Sequence, residues 1–152
     1  YSKKIKYLKL PEEQIETEQK RIFSFINRKT GVIPHEVEDK LKQIMWDLVG
    51  IFRDENKLLK AKKEIAKLKL EAKKMKTRTN LKERNRDLQD CLEIENMLVT
   101  AEAVVDAAIL RKESRGAHSR TDYPKTLAEW RKNIVVKKAK GKLTTEIINV
   151  VE

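Results

Sequence analysis

Apolar residues recur at alternating spacings of three and four between positions 58 and 75 of this chain. The residues concerned are Leu58, Ala61, Ile65, Leu68, Ala72 and Met75. This heptad-like spacing places them in one narrow stripe along a helix of about residues 55–76. Because such a stripe is stable only when neighbouring elements cover it, the segment predicts a bundle of helices rather than a sheet.

Two further segments show helical periodicity and are predicted to be the partners of this helix. The first spans about residues 34–52, and its stripe consists of Val37, Leu41, Ile44, Met45, Leu48 and Phe52. The second spans about residues 82–113, and its inner face consists of Leu88, Cys91, Leu92, Leu98, Val105 and Ile109. The connections at 53–54 and 77–80 are short, so consecutive helices must reverse direction. We therefore predict a mainly all-α fold, an antiparallel three-helix bundle of the spectrin-repeat type, with crossing angles near about 20°.

Shorter elements are predicted before the bundle and at its turns. Pro11 favours the start of a short extra helix over about residues 11–27, and Gly31 is suited to a left-handed cap after it. Asp54 is placed to cap the N-terminus of the 55–76 helix. Gly50 would weaken the 34–52 helix by about 1 kcal/mol relative to alanine, which is tolerable where another helix approaches closely.

The C-terminal part of the chain has a different pattern. Residues 127–130 are predicted to form one helical turn. Two β-branched runs, 133–138 and 143–148, flank a glycine and are typical of a β-hairpin. The predicted organisation is therefore a linker at residues 1–10, a helical bundle domain at 11–114, and a charged docking loop, tryptophan segment and β-hairpin at 115–152.

The segment 110–124, LRKESRGAHSRTDYP, shows neither helical nor strand periodicity and is dense in charge. It follows a helical stretch that is apolar on nearly every face from Met97 onward. A small bundle cannot cover such a helix on all sides, so another domain must contribute the remaining contacts. Loops that carry function are commonly held by a rigid scaffold. We therefore predict that this charged segment docks against a second domain.

The same segment resembles a sequence, ESRGAHxRxDYP, near the end of flavoprotein subunits of succinate dehydrogenases and fumarate reductases, which L-aspartate oxidases share. Two more stretches are similar to this family and occur in the same order, namely Met45-Trp46…Val49-Gly50…Phe52-Arg53-Asp54 to MWxxVGxxRD and Glu95-Asn96-Met97-Leu98…Ala101-Glu102 to ExxNMLxxAE. The three matches cover roughly residues 34–136. The resemblance implies the C-terminal helical domain of a flavoprotein that interconverts succinate and fumarate through FAD.

The resemblance also implies what this stretch of sequence lacks. In the family, a large N-terminal part binds FAD through a glycine-rich fold and carries the His and Arg residues that bind the dicarboxylate. The glycines of this chain, Gly31, Gly50, Gly116 and Gly141, are far apart and form no GxGxxG turn. We therefore expect a C-terminal piece without catalytic, cofactor-binding or metal-ligating residues. Alone, it is expected to bind no FAD and to turn over neither succinate nor fumarate.

The expected partners are the FAD-binding domain of the same polypeptide and an iron–sulfur subunit. The residues assigned to interdomain or subunit docking are Trp46, Arg53, Glu113, Ser114, Arg115, Gly116, His118, Arg120 and Asp122. Trp46 is predicted to pack in the core or between domains. Histidine can carry protons, but the resemblance places the substrate histidine upstream, so we interpret His118 as an interdomain anchor.

Local ion pairs offer a second interpretation of the charged loop. Glu113 and Asp122 can pair with Arg115 and Arg120 inside the loop, and a loop fixed in this way is also suited to docking. If the loop acts as an interdomain clamp, replacement of Arg115 by alanine is expected to cost only about 0–1 kcal/mol in the isolated chain, because its ion pairs there would be exposed. The cost in the complete flavoprotein would be about 3–5 kcal/mol, because a buried partner would lose its counter-charge.

Positive charge is concentrated in one segment. The net charge is +11, and residues 57–86 contain thirteen Lys or Arg against three acidic residues, a balance of +10. Such a segment could bind nucleic acid or an anionic membrane surface. It contains no aromatic residue to stack on bases. We therefore interpret it as a solvated helix face and consider nucleic acid the weaker alternative.

Three hypotheses for the function follow. The first is the domain of a succinate dehydrogenase or fumarate reductase flavoprotein, the second is the same domain of an L-aspartate oxidase, and the third is a basic helical adaptor for nucleic acid or a partner helix. The hairpin favours the first, and the ordered motifs argue against the third. No apolar run of about 18 residues occurs, so no transmembrane helix is predicted. We expect a cytoplasmic location, with any membrane attachment through partner subunits. Cys91 is predicted to be a buried thiol.

Overall fold

The structure is a computed structural model that describes residues 11–139 and 141–150. Within these residues the helices are α1 (Glu12–Asn27), α2 (Pro34–Val49), α3 (Glu55–Ala72) and α4 (Arg86–Leu110). The strands are β1 (Phe52–Arg53), β2 (Ser119–Arg120), β3 (Lys132–Ala139) and β4 (Lys142–Asn149), with a 3-10 turn at Ala128–Trp130. The linker predicted at residues 1–10 lies outside the described residues.

The core lies where α2, α3 and α4 pack against one another. Every residue of the predicted α3 stripe is buried, as is Cys91. On α2, Val37 and Leu41 are fully buried, and the other predicted stripe residues of that helix, except Phe52, pack partly buried against the core. The mainly helical fold with a small hairpin is therefore confirmed. α1 is peripheral, since only Phe25 and Ile26 of this helix are buried.

The second helix ends earlier than predicted. It stops at Val49, and Phe52 is 71% exposed in β1 instead of facing the core. The guanidinium of Arg53 explains the end, because its Nε donates to the carbonyls of Val49 and Gly50 that would otherwise continue the helix. The predicted reason for Gly50 is also wrong, since Gly50 follows the helix and a Cβ built on it would meet the carbonyl oxygen of Trp46 in α2 rather than another helix.

The connection between α3 and α4 is longer than predicted. It covers residues 73–85, because the backbone after α3 pairs with the segment between α1 and α2 rather than continuing as a helix. Met75 forms a parallel bridge with Val32, and the amide of Lys76 donates to the Val32 carbonyl over 2.9 Å. The helix α4 then begins at Arg86 and is capped by Asn85, whose side chain accepts a hydrogen bond from the amide of Leu88.

Gly31 permits this pairing and is not the helix cap that the sequence predicted. Its φ is +152°, and a Cβ built on it would lie 2.1 Å from the carbonyl oxygen of Lys74. α1 has already ended at Asn27, and the following residue is extended. A residue without a side chain is therefore required so that the α1–α2 segment can approach the end of α3.

Several local predictions are confirmed. The Asp54 side chain accepts a hydrogen bond from the amide of Lys57 over 2.9 Å, so it caps α3. The predicted helical turn is the 3-10 turn, and the hairpin pairs β3 with β4 in antiparallel register, with Ile134 opposite Ile147. None of the described helices is long and apolar enough to cross a membrane.

Candidate interdomain docking site

Arg120 is the centre of the charged segment and is fully buried. Its Nη1 donates to the carbonyl oxygen of Ala108, in the last turn of α4, over 3.0 Å. Its Nη2 donates to Glu55 Oε2 in the first turn of α3 over 2.8 Å. Its guanidinium also lies 4.9 Å from the ring centroid of Tyr123. Arg120, which the sequence analysis assigned to docking, therefore connects the end of α4 to the start of α3 inside the domain.

Asp122 completes this connection. It accepts two hydrogen bonds of 2.7 Å from Arg120, and its Oδ2 accepts a third from the amide of Glu55 at the start of α3. The pKa of Asp122 is lowered to about 2, chiefly by the hydrogen bonds from Arg120. The carboxylate thus lies at the N-terminus of α3 and the guanidinium at the C-terminus of α4, and both positions match the helix dipoles.

Glu113 is a second buried charge in the same segment, with no exposed surface. Its Oε1 accepts from Arg111 and Arg115 over 2.7 and 2.8 Å, and its Oε2 accepts from the amide of Leu127 over 2.9 Å. These hydrogen bonds, that from Arg115 first, lower the pKa of Glu113 to about 2. Because Arg115 has a buried partner inside the chain, the assumption that it forms only an exposed pair is wrong.

Arg111 belongs to this network although the sequence did not single it out. Its guanidinium donates to the carbonyl oxygens of Trp130 and Lys132 and lies 5.4 Å from the Trp130 ring centroid. It therefore connects the end of α4 to the 3-10 turn and the hairpin. A further arginine directly after a long helix was the available signal, since cations are favoured at helix C-termini.

The remaining predicted loop residues form its turns. Gly116 has a φ of +57° in a tight turn closed by two backbone hydrogen bonds between Arg115 and His118. Ser114 Oγ accepts from the amide of Arg120 over 2.8 Å and donates to the carbonyl oxygen of Tyr123 over 2.9 Å. The loop is therefore held by its own hydrogen bonds before any partner is considered.

His118 and Arg53 join the loop to the end of α2. Arg53 Nη1 lies 2.7 Å from His118 Nδ1, and His118 Nε2 lies 3.2 Å from the carbonyl oxygen of Arg111. A guanidinium can only donate, so Nδ1 accepts and the proton is on Nε2, which donates to the carbonyl. Burial is the main cause that lowers the pKa of His118. His118 is therefore a neutral structural link in this arrangement.

Backbone pairing reinforces this link. The strands β1 and β2 align in parallel, with Phe52 opposite Ser119 and Arg53 opposite Arg120. The amide of Thr121 donates to the Arg53 carbonyl oxygen over 2.8 Å. The ends of α2, α3 and α4 are thus joined by one network, and we call residues 111–123 with Arg53 and Glu55 the junction.

Trp46 is a predicted docking residue whose side chain makes no hydrogen bond or ion pair with the junction among the described residues. Its residue surface is 82% exposed, so a place in the core of this domain is wrong. Ile51 and Phe52 follow α2 and are 59% and 71% exposed. The loop fixes the backbone of Ile51 and Phe52, because the amide of Ser119 donates to the Ile51 carbonyl oxygen and Phe52 pairs with Ser119. We call Trp46, Ile51 and Phe52 the apolar rim.

A largely apolar groove lies between α2 and α4. Its lining includes Leu41, Met45, Met97 and Val104. Val99 and Val104 of α4 are each more than one third exposed, although the helix is apolar on most faces. In the described residues no group of three or more His, Cys, Asp or Glu side chains could hold a metal ion. This surface is suited to protein contacts.

Comparison with known proteins identifies the family. The profile of the family described as "Fumarate reductase flavoprotein C-term" matches residues 38–151. This chain belongs to that family. The match includes α2 from residue 38 onward, α3, α4, the junction and the hairpin, so the family resemblance of the motifs is confirmed.

The relatives in the fumarate reductase flavoprotein C-terminal family are several times longer than this chain. An uncharacterized FAD-dependent oxidoreductase of Methanocaldococcus jannaschii is 43% identical over 66% of this chain and 18% of its own length. One of the subunits of the fumarate reductase (CoM/CoB) of Methanothermobacter marburgensis is 37% identical over 80% of this chain and 22% of its own length. L-aspartate oxidases of Ralstonia nicotianae and Pseudomonas aeruginosa align over shorter segments. The chain therefore spans about a fifth of the curated relatives that it matches.

A solved structure shares the fold of this family member. The Sdh1 complex of Mycobacterium smegmatis with UQ1 contains a chain that superimposes with a TM-score of 0.88 and 29% identity, over 94% of this chain and 25% of that one. The fold of this chain therefore corresponds to about a quarter of a longer chain.

Proposed function

We propose that this chain is the C-terminal domain of a flavoprotein that interconverts succinate and fumarate through FAD, and that it contributes structure rather than catalytic groups. The family membership supports the parent reaction. The observation that carries the structural role is the junction, where each buried charge is paired within the chain, Glu113 with two arginines and Arg120 with two carboxylates. No buried side-chain nitrogen or oxygen lacks a partner among the described residues. His118, the one candidate proton carrier, has both ring nitrogens in hydrogen bonds.

The apolar rim is the proposed contact with the FAD-binding domain of the same polypeptide. Trp46, Ile51 and Phe52 are exposed in this chain. Their burial by a docked domain would stabilise the contact by about 25 cal/mol for each Å² of apolar surface removed from water. The junction sets the position of this rim by fixing the end of α2 to α3 and α4. Its contribution to docking is therefore to hold an apolar surface in place, in addition to any direct contact of Arg115 with a partner.

The parent reaction is tested on the complete gene product. It should copurify with flavin, as seen by the absorption band of the bound cofactor, and should reduce fumarate with a reduced viologen dye. The 152-residue chain purified alone should show neither property. Flavin bound to the chain alone near stoichiometric occupancy, or a complete gene product that binds none, would contradict the proposal.

A second candidate is the same domain of an L-aspartate oxidase. Alignment of two such oxidases supports it, at 37% and 34% identity over 59% and 64% of this chain. The two candidates differ in substrate, so the purified gene product should be offered succinate, fumarate and L-aspartate in parallel. Flavin bleaching by L-aspartate alone would favour the oxidase.

The proposal also includes a cytoplasmic location and a partner that holds iron–sulfur clusters. An affinity tag on the gene product in its native host should recover a second polypeptide that contains iron and sulfide. Fractionation of the same cells should place both in the cytoplasm or on the cytoplasmic face of the membrane. Recovery of the flavoprotein alone would contradict this part.

A further inference from the structure

The outer face of α3 is one part of the basic segment 57–86 that the junction and the proposed function leave unexplained. The helix packs against α2 and α4 through the buried stripe that begins at Leu58 and ends at Ala72. Its opposite side is exposed, and the exposed cations there are all lysines, without an arginine. From the sequence we interpreted this face as solvated. The structure shows that exposed uncharged residues also lie on it.

Two exposed leucines lie in line with these lysines. Leu59 and Leu70 are 42% and 61% exposed. They are separated by about three turns at 3.6 residues per turn, so they lie on one line along the helix. Lys63 and Ala66 fall between them on the same line, and both are exposed. Leucine side chains in the middle of a lysine face are unfavourable for a surface that only meets water.

Lysines flank this line and are mostly free of acidic partners. Among the described residues Lys60, Lys63 and Lys73 make no ion pair within 4.0 Å, whereas Lys67 pairs with Glu64 in its own helix. We call the set of Leu59, Lys60, Lys63, Ala66, Lys67, Leu70 and Lys73 the lysine face.

We propose that the lysine face binds the surface of an anionic lipid bilayer. An amphipathic surface of this kind places its apolar side chains at the headgroup boundary while lysines meet anionic headgroups. Nucleic acid fits less well. The segment 57–86 has no aromatic residue for base stacking, and α3 has no arginine for bidentate phosphate contacts. Lysines act as point charges and suit a diffuse anionic surface.

The geometry is compatible with a flat surface. The lysine face lies along one side of a helix that is fixed on its other side by the core, so no unfolding is needed for contact. The apolar rim lies on α2 and the residues that follow it, whereas the lysine face lies on α3 and its C-terminal end, so the two surfaces share no residue. The inference goes beyond the proposed function, because it adds a direct lipid contact to any attachment through subunits.

Vesicle binding by the complete gene product tests the inference. Sedimentation with vesicles of phosphatidylglycerol and phosphatidylcholine should show binding that weakens as salt is raised, and vesicles of phosphatidylcholine alone should bind far less. The triple change Lys60→Gln, Lys63→Gln and Lys67→Gln should weaken binding roughly 100-fold, from about 1 kcal/mol for each lysine and tenfold for each 1.4 kcal/mol.

A matched control distinguishes an effect of the lysine face on vesicle binding from an effect of the net charge. The changes Lys20→Gln, Lys42→Gln and Lys137→Gln remove the same number of charges from other elements and should leave vesicle binding within a few fold. Leu70→Ser should also weaken vesicle binding without changing the net charge. Equal effects of the two triple changes, equal binding of neutral and anionic vesicles, or a DNA duplex bound as tightly at the same salt would each overturn the proposal.

Discussion

Arg120 and Asp122 form two hydrogen bonds of 2.7 Å, and each side chain also reaches a different helix end. The guanidinium donates to the Ala108 carbonyl at the end of α4, and the carboxylate accepts from the Glu55 amide at the start of α3. An ion pair between residues two positions apart in sequence therefore acts over long range, because its remaining hydrogen-bonding groups are used by the bundle.

Removal of the Arg120 charge should destabilise the domain strongly. Arg120→Met keeps much of the side-chain volume but leaves Asp122 and the Ala108 carbonyl without their partner. Breaking a buried pair in this way costs about 3–5 kcal/mol. Urea unfolding of the chain, followed by circular dichroism, measures the change.

An exposed pair provides the control for this measurement. Arg86 contacts Asp90 over 2.8 Å with a side chain that is 70% exposed. Arg86→Met should therefore cost about 0–1 kcal/mol. A similar loss for both variants would show that the Arg120 network contributes little.

The buried carboxylate of Glu113 predicts stability that falls in acid. Its pKa is lowered from 4.5 to about 2, chiefly by the hydrogen bond from Arg115. The unfolded chain therefore binds the proton at a higher pH than the folded chain does. The stabilisation by Glu113 is complete above about pH 4.5 and is lost as the pH falls through about 2.

Urea titrations over this pH range test the acid dependence. Glu113→Gln should be less stable at neutral pH and should show a shallower fall in the free energy of unfolding toward about pH 2. Glu129→Gln, a change at an exposed neighbour, should keep the original slope. An unchanged slope in Glu113→Gln would assign the acid sensitivity to other groups.

His118 should contribute a second, separate pH dependence. Burial lowers its pKa below the ordinary 6.5, so the folded chain binds this proton less readily than the unfolded chain. The stabilisation by neutral His118 is therefore complete above pH 6.5 and is lost as the pH falls below it. Proton NMR of the histidine rings should show His118 titrating below 6.5, with His118→Gln used to assign the signal. Titration at or above 6.5 would contradict the Arg53–His118 hydrogen bond.

Two glycines with positive φ should respond differently to alanine. At Gly31 the added Cβ would lie 2.1 Å from the Lys74 carbonyl oxygen, whereas at Gly116 nothing lies within 4 Å. Gly31→Ala should therefore cost at least about 3 kcal/mol, since backbone strain and overpacking add. Gly116→Ala should cost about 1–2 kcal/mol for its left-handed backbone alone. Thermal unfolding of both variants decides this, and equal costs would contradict the close approach at Gly31.

The helices of the core were predictable because their packing depends on local periodicity. The α3 stripe follows the heptad spacing, and Asp54 caps its helix through a contact three residues away. Helix ends were less predictable. α2 stops at Val49 because Arg53 takes its carbonyls and β1 pairs with a segment far along the chain.

In the candidate site, too, contacts between residues close in sequence were predictable and long-range contacts were not. The pairing of Glu113 with Arg115 and of Arg120 with Asp122 was one of the two interpretations of the loop, since the partners are two residues apart. The contacts Arg53–His118 and Glu55–Arg120 join residues 65 positions apart, which no local pattern reports. The exposure of Trp46 was also unpredictable, because a tryptophan beside an apolar stripe is compatible with either side of the helix.

The central claim is that the apolar rim is a contact with a domain encoded elsewhere in the same gene product. Trp46→Ser should change the stability of the 152-residue chain by less than about 0.5 kcal/mol, since the residue is 82% exposed. Leu81→Ser, at an exposed leucine of the α3–α4 connection, serves as the control and should have little effect in either protein.

Thermal melts of Trp46→Ser in the chain alone and in the complete gene product are the most direct test of this claim. The account predicts almost no shift in the chain. In the gene product it predicts a drop of several degrees with loss of bound flavin, because truncating a buried tryptophan costs about 3–5 kcal/mol. Small and equal shifts in both proteins, with flavin retained, would contradict it.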